Sequence, residues 1–395
     1  MDTQFDVMVV GAGMMGSAAA RHLVDAGQRV ILIGPEEPDD TKSHEGVFAS
    51  HYDQARITRR MDQDMDWARL SSASIERYAE IEARAGMTFF HPVGSLIAGP
   101  EEGPGSEYIQ KCARLGRTEG ISFEEARGQR LRELFPYLDL PDGTLGLYET
   151  DTGGWINPRD HVAAQIRAGV KAGVTHHVAE VQSVEDDANG MIATCSDGTR
   201  ISASKVVIAC GGFSKAGGLL PQPPDLRVYA RTIVYFELAE AQVERMSTMP
   251  SVIYGPPDAP CIPYILPPVR YPDGKHYIKI GGDPDNVQLT DVEEIKAWFR
   301  TDGNAEVAAF LTDALIALIP DLRDAPRSTG SCVTSFTSYG KPLVQKQTDR
   351  IFALTGGNGA GAKCSDEIGR LGADLVINGR LDADQYTTSF RPSDP

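Results

Sequence analysis

Ten residues from the amino terminus, Gly11-Ala12-Gly13-Met14-Met15-Gly16 sets three glycines at the spacing that cradles a pyrophosphate. In such a loop Gly11 permits the tight turn, Gly13 lets the backbone approach the phosphates, and Gly16 allows close packing of the following helix, whose free N–H groups attract an anion. The bland alternative is a glycine-rich turn with no ligand. A second stretch, Ser50-His51-Tyr52-Asp53-Gln54-Ala55-Arg56-Ile57-Thr58-Arg59-Arg60, has no apolar periodicity and is rich in anion-binding groups, as a functional loop would be. Its bland reading is a surface arginine cluster paired with Asp53, Asp62 and Asp64. Lys363 follows four glycines and opens the last helical stretch, where a cation opposes the helix dipole. That local misfit calls for an anionic partner, unless the lysine is merely solvated. Lys279 alternates with Ile278 and Ile280, and by pattern alone it points to water.

The elements around these residues are legible. Phe5–Val10 is a β-rich run, an alanine-rich helical stretch ends at Gly27, and Arg29–Ile33 is a second buried strand, completing a right-handed βαβ unit of about 30 residues. Gly34 stands where an acidic residue usually ends the second strand to hold the ribose. Glu36 or Glu37 then has to reach it from the following loop, with Glu36 preferred, and plain solvation of both is the alternative. Trp67, Leu70, Ile75, Tyr78 and Ile81 share one face of a helix from Asp64 to Gly86. Asn157-Pro158 caps another that stops at Gly173, and a strand is expected from Val178 to Val184. Hairpins at Asn189-Gly190 and Asp197-Gly198 lead to the strand Lys205–Cys210, which runs into Gly211-Gly212. Beyond Pro221–Pro224 come a long strand, Arg227–Leu238, and seven prolines between Pro256 and Pro272, read as a domain crossing. The strand His276–Ile280 and helices over 291–300 and 304–319 follow. Ile351–Leu354, the turn Gly356–Gly361 and a helix from Cys364 to Ile377 then return the chain to its first domain, leaving 381–395 as a frayed polar tail.

Composition narrows the function. With 38 basic against 55 acidic residues the formal charge is −17, which disfavours nucleic acid and anionic membrane surfaces. No apolar run approaches the ~18 residues of a membrane span. Cysteines 112, 195, 210, 261, 332 and 364 include no C-x-x-C pair and no zinc-like spacing with histidine, so they read as isolated thiols and no metal site is expected. The first strand begins too early to leave room for a leader peptide, so a reducing cytoplasm is the expected location.

A nicotinamide enzyme normally has one contiguous dinucleotide domain, whereas here a second glycine-rich loop follows a buried strand some 340 residues on. At this point the chain resembles the D-amino-acid oxidase superfamily of flavoproteins, above all its monomeric sarcosine oxidase and N-methyltryptophan oxidase branch. The likeness runs through Val10–Gly16, Ser50-His51 to Arg59, Val206–Ala209 before Gly211-Gly212, His276–Gly281, Cys332 and Gly356–Lys363. It implies an α/β fold with a split, Rossmann-like FAD domain of glutathione-reductase type (1–90, 153–222 and 330–380) and an α+β substrate domain (91–152 and 223–329) whose antiparallel sheet lies over the flavin. By the same resemblance Gly11 to Gly16, Ser50, His51, Val181 (at adenine), Gly211, Gly357, Asn358, Gly359, Gly361 and Lys363 contact FAD. Arg56 lies near the flavin, Arg59 and Lys363 clamp a substrate carboxylate, Lys279 stands beside flavin N5 to favour reaction with oxygen, and Tyr264 is an active-site tyrosine. Cys332 matches the cysteine that carries a thioether to the flavin; covalent attachment and simple ring-side contact both remain open. Asp283 and Thr334 replace a histidine and a tyrosine of sarcosine oxidase beside the substrate, which points away from sarcosine.

Together these readings imply a monomeric FAD-dependent oxidase of an amine or N-alkyl amino acid bearing a carboxylate. Hydride passes to flavin N5 and oxygen accepts the electrons. The alternatives are a dehydrogenase of the same fold acting on an amino or hydroxy acid with a quinone or carrier, and a non-catalytic dinucleotide-binding protein.

Overall fold

A computed structural model describes residues 5–257 and 260–392, and among these two large sheets organise the chain. The first runs Val181–Asp187, Gly190–Cys195, Arg200–Ile208, Phe5–Val10, Val30–Ile33, Thr175–His177, with Ile351–Thr355 beside Arg200–Ile208 and Leu343–Lys346 outside it. Its centre is parallel: Val10 lies opposite Ile33 on one side and Ile208 on the other, and Ile208 opposite Ala353. The apolar runs forecast as buried strands thus come together from three distant segments, because a parallel strand needs both faces covered.

The second sheet is mostly antiparallel. Arg227–Glu237 is its spine, flanked by His276–Gly281 and, over ten residue pairs, by Arg327–Phe336. Residues 330–336, grouped by resemblance with the cofactor segments, therefore belong to this sheet, where Cys332 lies opposite Arg231. The expected strand at 178–184 begins only at Val181, and a separate short strand, Thr175–His177, precedes it. Thr175–His177 pairs parallel with Val30–Ile33 while Val181–Asp187 pairs antiparallel with Gly190–Cys195, so the residues between have to cross from one partner to the other.

Helix ends follow the local chemistry. The Asp64 carboxylate accepts from the N–H groups of Asp66 and Trp67, and Gly86 closes Met65–Ala85 at a φ of 69°. Asn157 caps Pro158–Ala172 in the same way. These two helices pack with Met14–Asp25 and Gly361–Asn378 around a buried ionic knot. Asp366 is fully buried and receives Arg21 and the Arg77 Nε at 2.6 Å each, with Gln165 at 2.8 Å. Because four helices share that one carboxylate, its unmet charge would be costly wherever any helix shifted.

Residues 386–390 are docked, contrary to the frayed tail expected over 381–395, of which 393–395 lie outside the described residues. Tyr386 donates to Glu367 at 2.9 Å, Thr387 bonds Asp66 through its N–H and its hydroxyl, and Phe390 is fully buried with its carbonyl accepting from Val344. Two aromatic side chains in a polar stretch suffice to anchor it. Among the described residues no helix is long and apolar enough to cross a membrane, and all six cysteines are unpaired. Phe390→Ala should remove about 3–5 kcal/mol of stability, read as a lower denaturant midpoint, and an unchanged midpoint would show that the tail is not part of the core.

Candidate active site

Between the two sheets lies a cavity of about 1260 Å³. Its floor is made by backbone in close approach. A Cβ on Gly16 would lie 1.9 Å from the Gly11 carbonyl oxygen, and one on Gly34 would lie 2.5 Å from the Ala12 nitrogen. Gly34 thus cannot carry an acidic side chain without displacing the first loop, which explains the departure noted in the sequence. Gly11, Ala12, Gly13, Met14 and Met15 line the cavity, whereas Gly16 stands behind them as a packing residue. Gly13 caps Met14–Asp25 with no side-chain bond, and the first turn carries no acidic residue, so its N–H groups are free for an anion.

The same cavity receives Ser50, His51, Val181, Gly211, Gly357, Asn358, Gly359 and Gly361. Asn358 holds φ at 47° while its side chain accepts from the Thr337 N–H and donates to the Gly356 carbonyl, pinning the second glycine loop to the end of Arg327–Phe336. Burial, then the charges of Arg159 and Arg56, push the His51 imidazole down to about 3, so it is neutral. Glu36, expected at the ribose, is exposed and lies outside the lining; its carbonyl accepts from the Tyr52 hydroxyl at 3.3 Å. The acidic residue that does line this end is Glu180, whose carboxylate accepts from the Val47 N–H. It sits on the crossing between Thr175–His177 and Val181–Asp187, whose path is set by strand pairing, so nothing local marked it.

At the other end the charged residues fall into two groups. In the first, buried Asp53 takes Arg56, Lys279 at 2.6 Å and the Tyr271 hydroxyl at 2.9 Å. Arg56 also reaches the Ser50 carbonyl at 3.0 Å and the Cys332 Sγ at 3.8 Å. Lys279 is fully buried rather than solvent-facing, its Nζ held between Asp53 and the Ala55 carbonyl, and the member of this group that lines the cavity is Arg56. Burial, then the Arg56 charge, pulls the Lys279 ammonium well below its ordinary range; the Asp53 carboxylate opposes both.

In the second group, Asp62 sits between Lys363 at 2.7 Å and Arg59 at 3.5 Å, and Arg59 also donates to the Tyr108 hydroxyl at 3.3 Å. All four line the cavity. Burial works against the Asp62 charge, but Lys363 and Arg59 prevail and hold its carboxyl below the usual range. The pairing of Arg56 and Arg59 with Asp53 and Asp62 is therefore real, yet it forms in a buried wall and not on the surface. Across the cavity stand Tyr264, Thr334, Asp283 and Arg231, the last unmarked in the sequence because alternation alone gives no sign of a site. Asp283 accepts from the Thr232 N–H at 3.1 Å, and burial raises its carboxyl to about 6. Burial likewise lifts the Tyr264 hydroxyl to about 12, leaving it protonated.

A glycine-floored anion cradle on a parallel sheet, opening under an antiparallel sheet lined with buried cations, defines a dinucleotide-dependent oxidoreductase. The chain belongs to the DAO family of FAD-dependent oxidoreductases, which it matches over residues 6–375. It is 24% identical to monomeric sarcosine oxidase of Bacillus sp. (strain NS-129) over 64% of this chain and 63% of that protein. To N-methyl-L-tryptophan oxidase of Yersinia pestis (strain Pestoides F) it is 24% identical over 93% of this chain and 94% of that one. Among solved structures it resembles NikD, described as an unusual amino acid oxidase essential for nikkomycin biosynthesis, with a TM-score of 0.77 at 20% identity covering 97% and 96% of the two chains. It also resembles glycine oxidase from Geobacillus kaustophilus, with a TM-score of 0.72 at 19% identity and 98% coverage of both. The residues present fit FAD: the open helix terminus and the side-chain-free floor suit its pyrophosphate, and the cavity continues to the charged wall.

Two measurements follow from the charges on the two sides of the cavity. Lys279→Met strips one partner from a buried carboxylate and should destabilise the protein by about 3 kcal/mol, with Asp53→Asn in the same chain recovering part of it; strictly additive effects in denaturant unfolding would show the pair is uncoupled. Asp283 keeps its proton in the folded protein up to about pH 6, where the unfolded chain has already released it. The stability this confers is complete below the ordinary carboxylate range and is lost as pH rises through about 6. Asp283→Asn should abolish that fall, and parallel melting-temperature profiles from pH 4 to 8 would contradict it.

Proposed function

We propose that this protein is an FAD-dependent oxidase of an amino acid or N-alkyl amino acid, with oxygen as electron acceptor. The observation that carries the reading is the buried pair Arg59 and Lys363, drawn from opposite ends of the chain to one cavity wall. Two cations on a desolvated wall suit a carboxylate, and the guanidinium can donate two parallel hydrogen bonds to it. When bound, FAD supplies the two-electron oxidation of the carbon–nitrogen bond.

The chain's own part is binding and electrostatics. Arg59 and Lys363 fix the carboxylate end and so limit the positions open to the amine. Tyr264, protonated and half-buried, offers a donor across the cavity from the clamp. Arg56 presents its charge to the cavity, while Lys279 works at one remove, through Asp53, as a positioning residue that supports the oxygen reaction. Cys332 lies within reach of Arg56 and is the candidate for a ring-side contact or a thioether. Asp283 and Thr334 shape the side away from the clamp, and their replacement of imidazole and phenol argues for a substrate other than sarcosine.

Arg59→Met removes a charge-assisted contact and should weaken carboxylate ligands of the holoenzyme by about 1.5–3 kcal/mol, read from the flavin absorbance change on titration. Bleaching of the flavin by a panel of N-methyl and D/L-amino acids under anaerobic conditions tests the reaction itself. Failure of every carboxylate-bearing amine to bleach it would refute the proposal.

A further inference from the structure

The clamp contains a carboxylate of its own. The Asp62 Oδ2 lies 2.7 Å from the Lys363 Nζ and 3.5 Å from the Arg59 guanidinium, and all three residues are at least nine-tenths buried and line the cavity. Arg59 keeps unused capacity, because its Nε is buried and has no partner among the described residues. Of the neighbouring charges, half-exposed Asp64 shares Lys341 with buried Asp66, and Lys111 stands exposed at the rim. The two cations and one anion in direct contact, Arg59, Lys363 and Asp62, leave the clamp itself a single positive charge before any ligand arrives. In a desolvated site an unbalanced charge is strongly unfavourable, so the charge of the ligand has to complement that remainder.

We propose that Asp62 is a specificity-determining residue that sets the substrate as an amine with one carboxylate and makes the clamp reject a second. A monocarboxylate brings Arg59, Lys363 and Asp62 to neutrality. A compact dicarboxylate overshoots it and meets Asp62 as a like charge. This rests on the reading of Arg59 and Lys363 as the carboxylate clamp, and it adds what that reading lacks, a limit on ligand charge.

Acetate and malonate probe it, since both carboxylates of malonate fall at one clamp. Dissociation constants for each are read at pH 8 from perturbation of the flavin absorbance in the holoenzyme, for the wild type, Asp62→Asn and Asp62→Ser. Either folded variant should shift the ratio of the two constants toward malonate by about tenfold or more, a modest share of one charge–charge interaction at short range. A ratio unchanged in both variants, with flavin content and melting temperature retained, overturns the proposal. Arg59→Met separates the two ideas: if it leaves acetate binding intact, the clamp itself is wrong, whereas loss of acetate binding together with an unmoved ratio in the Asp62 variants condemns only the role of Asp62.

Discussion

No side chain fits where the first glycine loop, the end of the second strand and the following helix converge. With a Cβ at Gly16 or Gly34 the backbones would overlap, so the loop, the strand Val30–Ile33 and the helix Met14–Asp25 stand at a spacing that bare backbone alone permits. The rest of the structure depends on that contact. It leaves the helix N-terminus uncovered toward the cavity, denies the second strand its acidic terminus, and gives the cofactor end of the cavity its floor. Glu180, arriving from across the sheet, is the carboxylate left on that rim.

The opposite end of the cavity rests on charge rather than on backbone. Asp53 and Asp62 are each buried and each shared by two cations, and together they tie the loop after residue 50 to the strand His276–Gly281 and to the helix Gly361–Asn378. Removing a buried ion's partner is costly, so these carboxylates fix where Arg56, Arg59, Lys279 and Lys363 point. The knot at Asp366 does the same for the helices behind them, and the docked tail closes over it through Tyr386 and Glu367. Positioning of the active-site charges and stability of the fold are thereby one problem, which is why substitutions here need readouts that separate the two.

Local signals carried a good deal of this. The glycine spacing between a strand and a helix, the caps at Asp64 and Asn157 and the turns at Asn189-Gly190 and Asp197-Gly198 depend on neighbours a few residues apart, and they are visible in one dimension. The misfit of Lys363 at a helix start also announced an anion, although the first anion it finds is Asp62 of the same chain. What local reading missed has a common cause. Lys279 in an alternating strand looks like a solvent-facing residue until the Asp53 loop is laid over it. The polar tail looks frayed until Tyr386 and Phe390 meet a core made by other segments, and the strand expected from 178 starts only at 181 because 178–180 cross from the partner of Thr175–His177 to that of Val181–Asp187.

By itself, then, the sequence determined the βαβ cradle, the second glycine loop, the segments that must rejoin the first sheet and the residue types able to hold an anion, since each follows from backbone freedom, capping or hydrophobic period over short range. Only the tertiary structure decided which charges face the cavity and which are spent on one another. Ion pairs such as Asp62 with Lys363, 301 residues apart, depend on how the two sheets and the helices between them come together, and no local pattern encodes that distance.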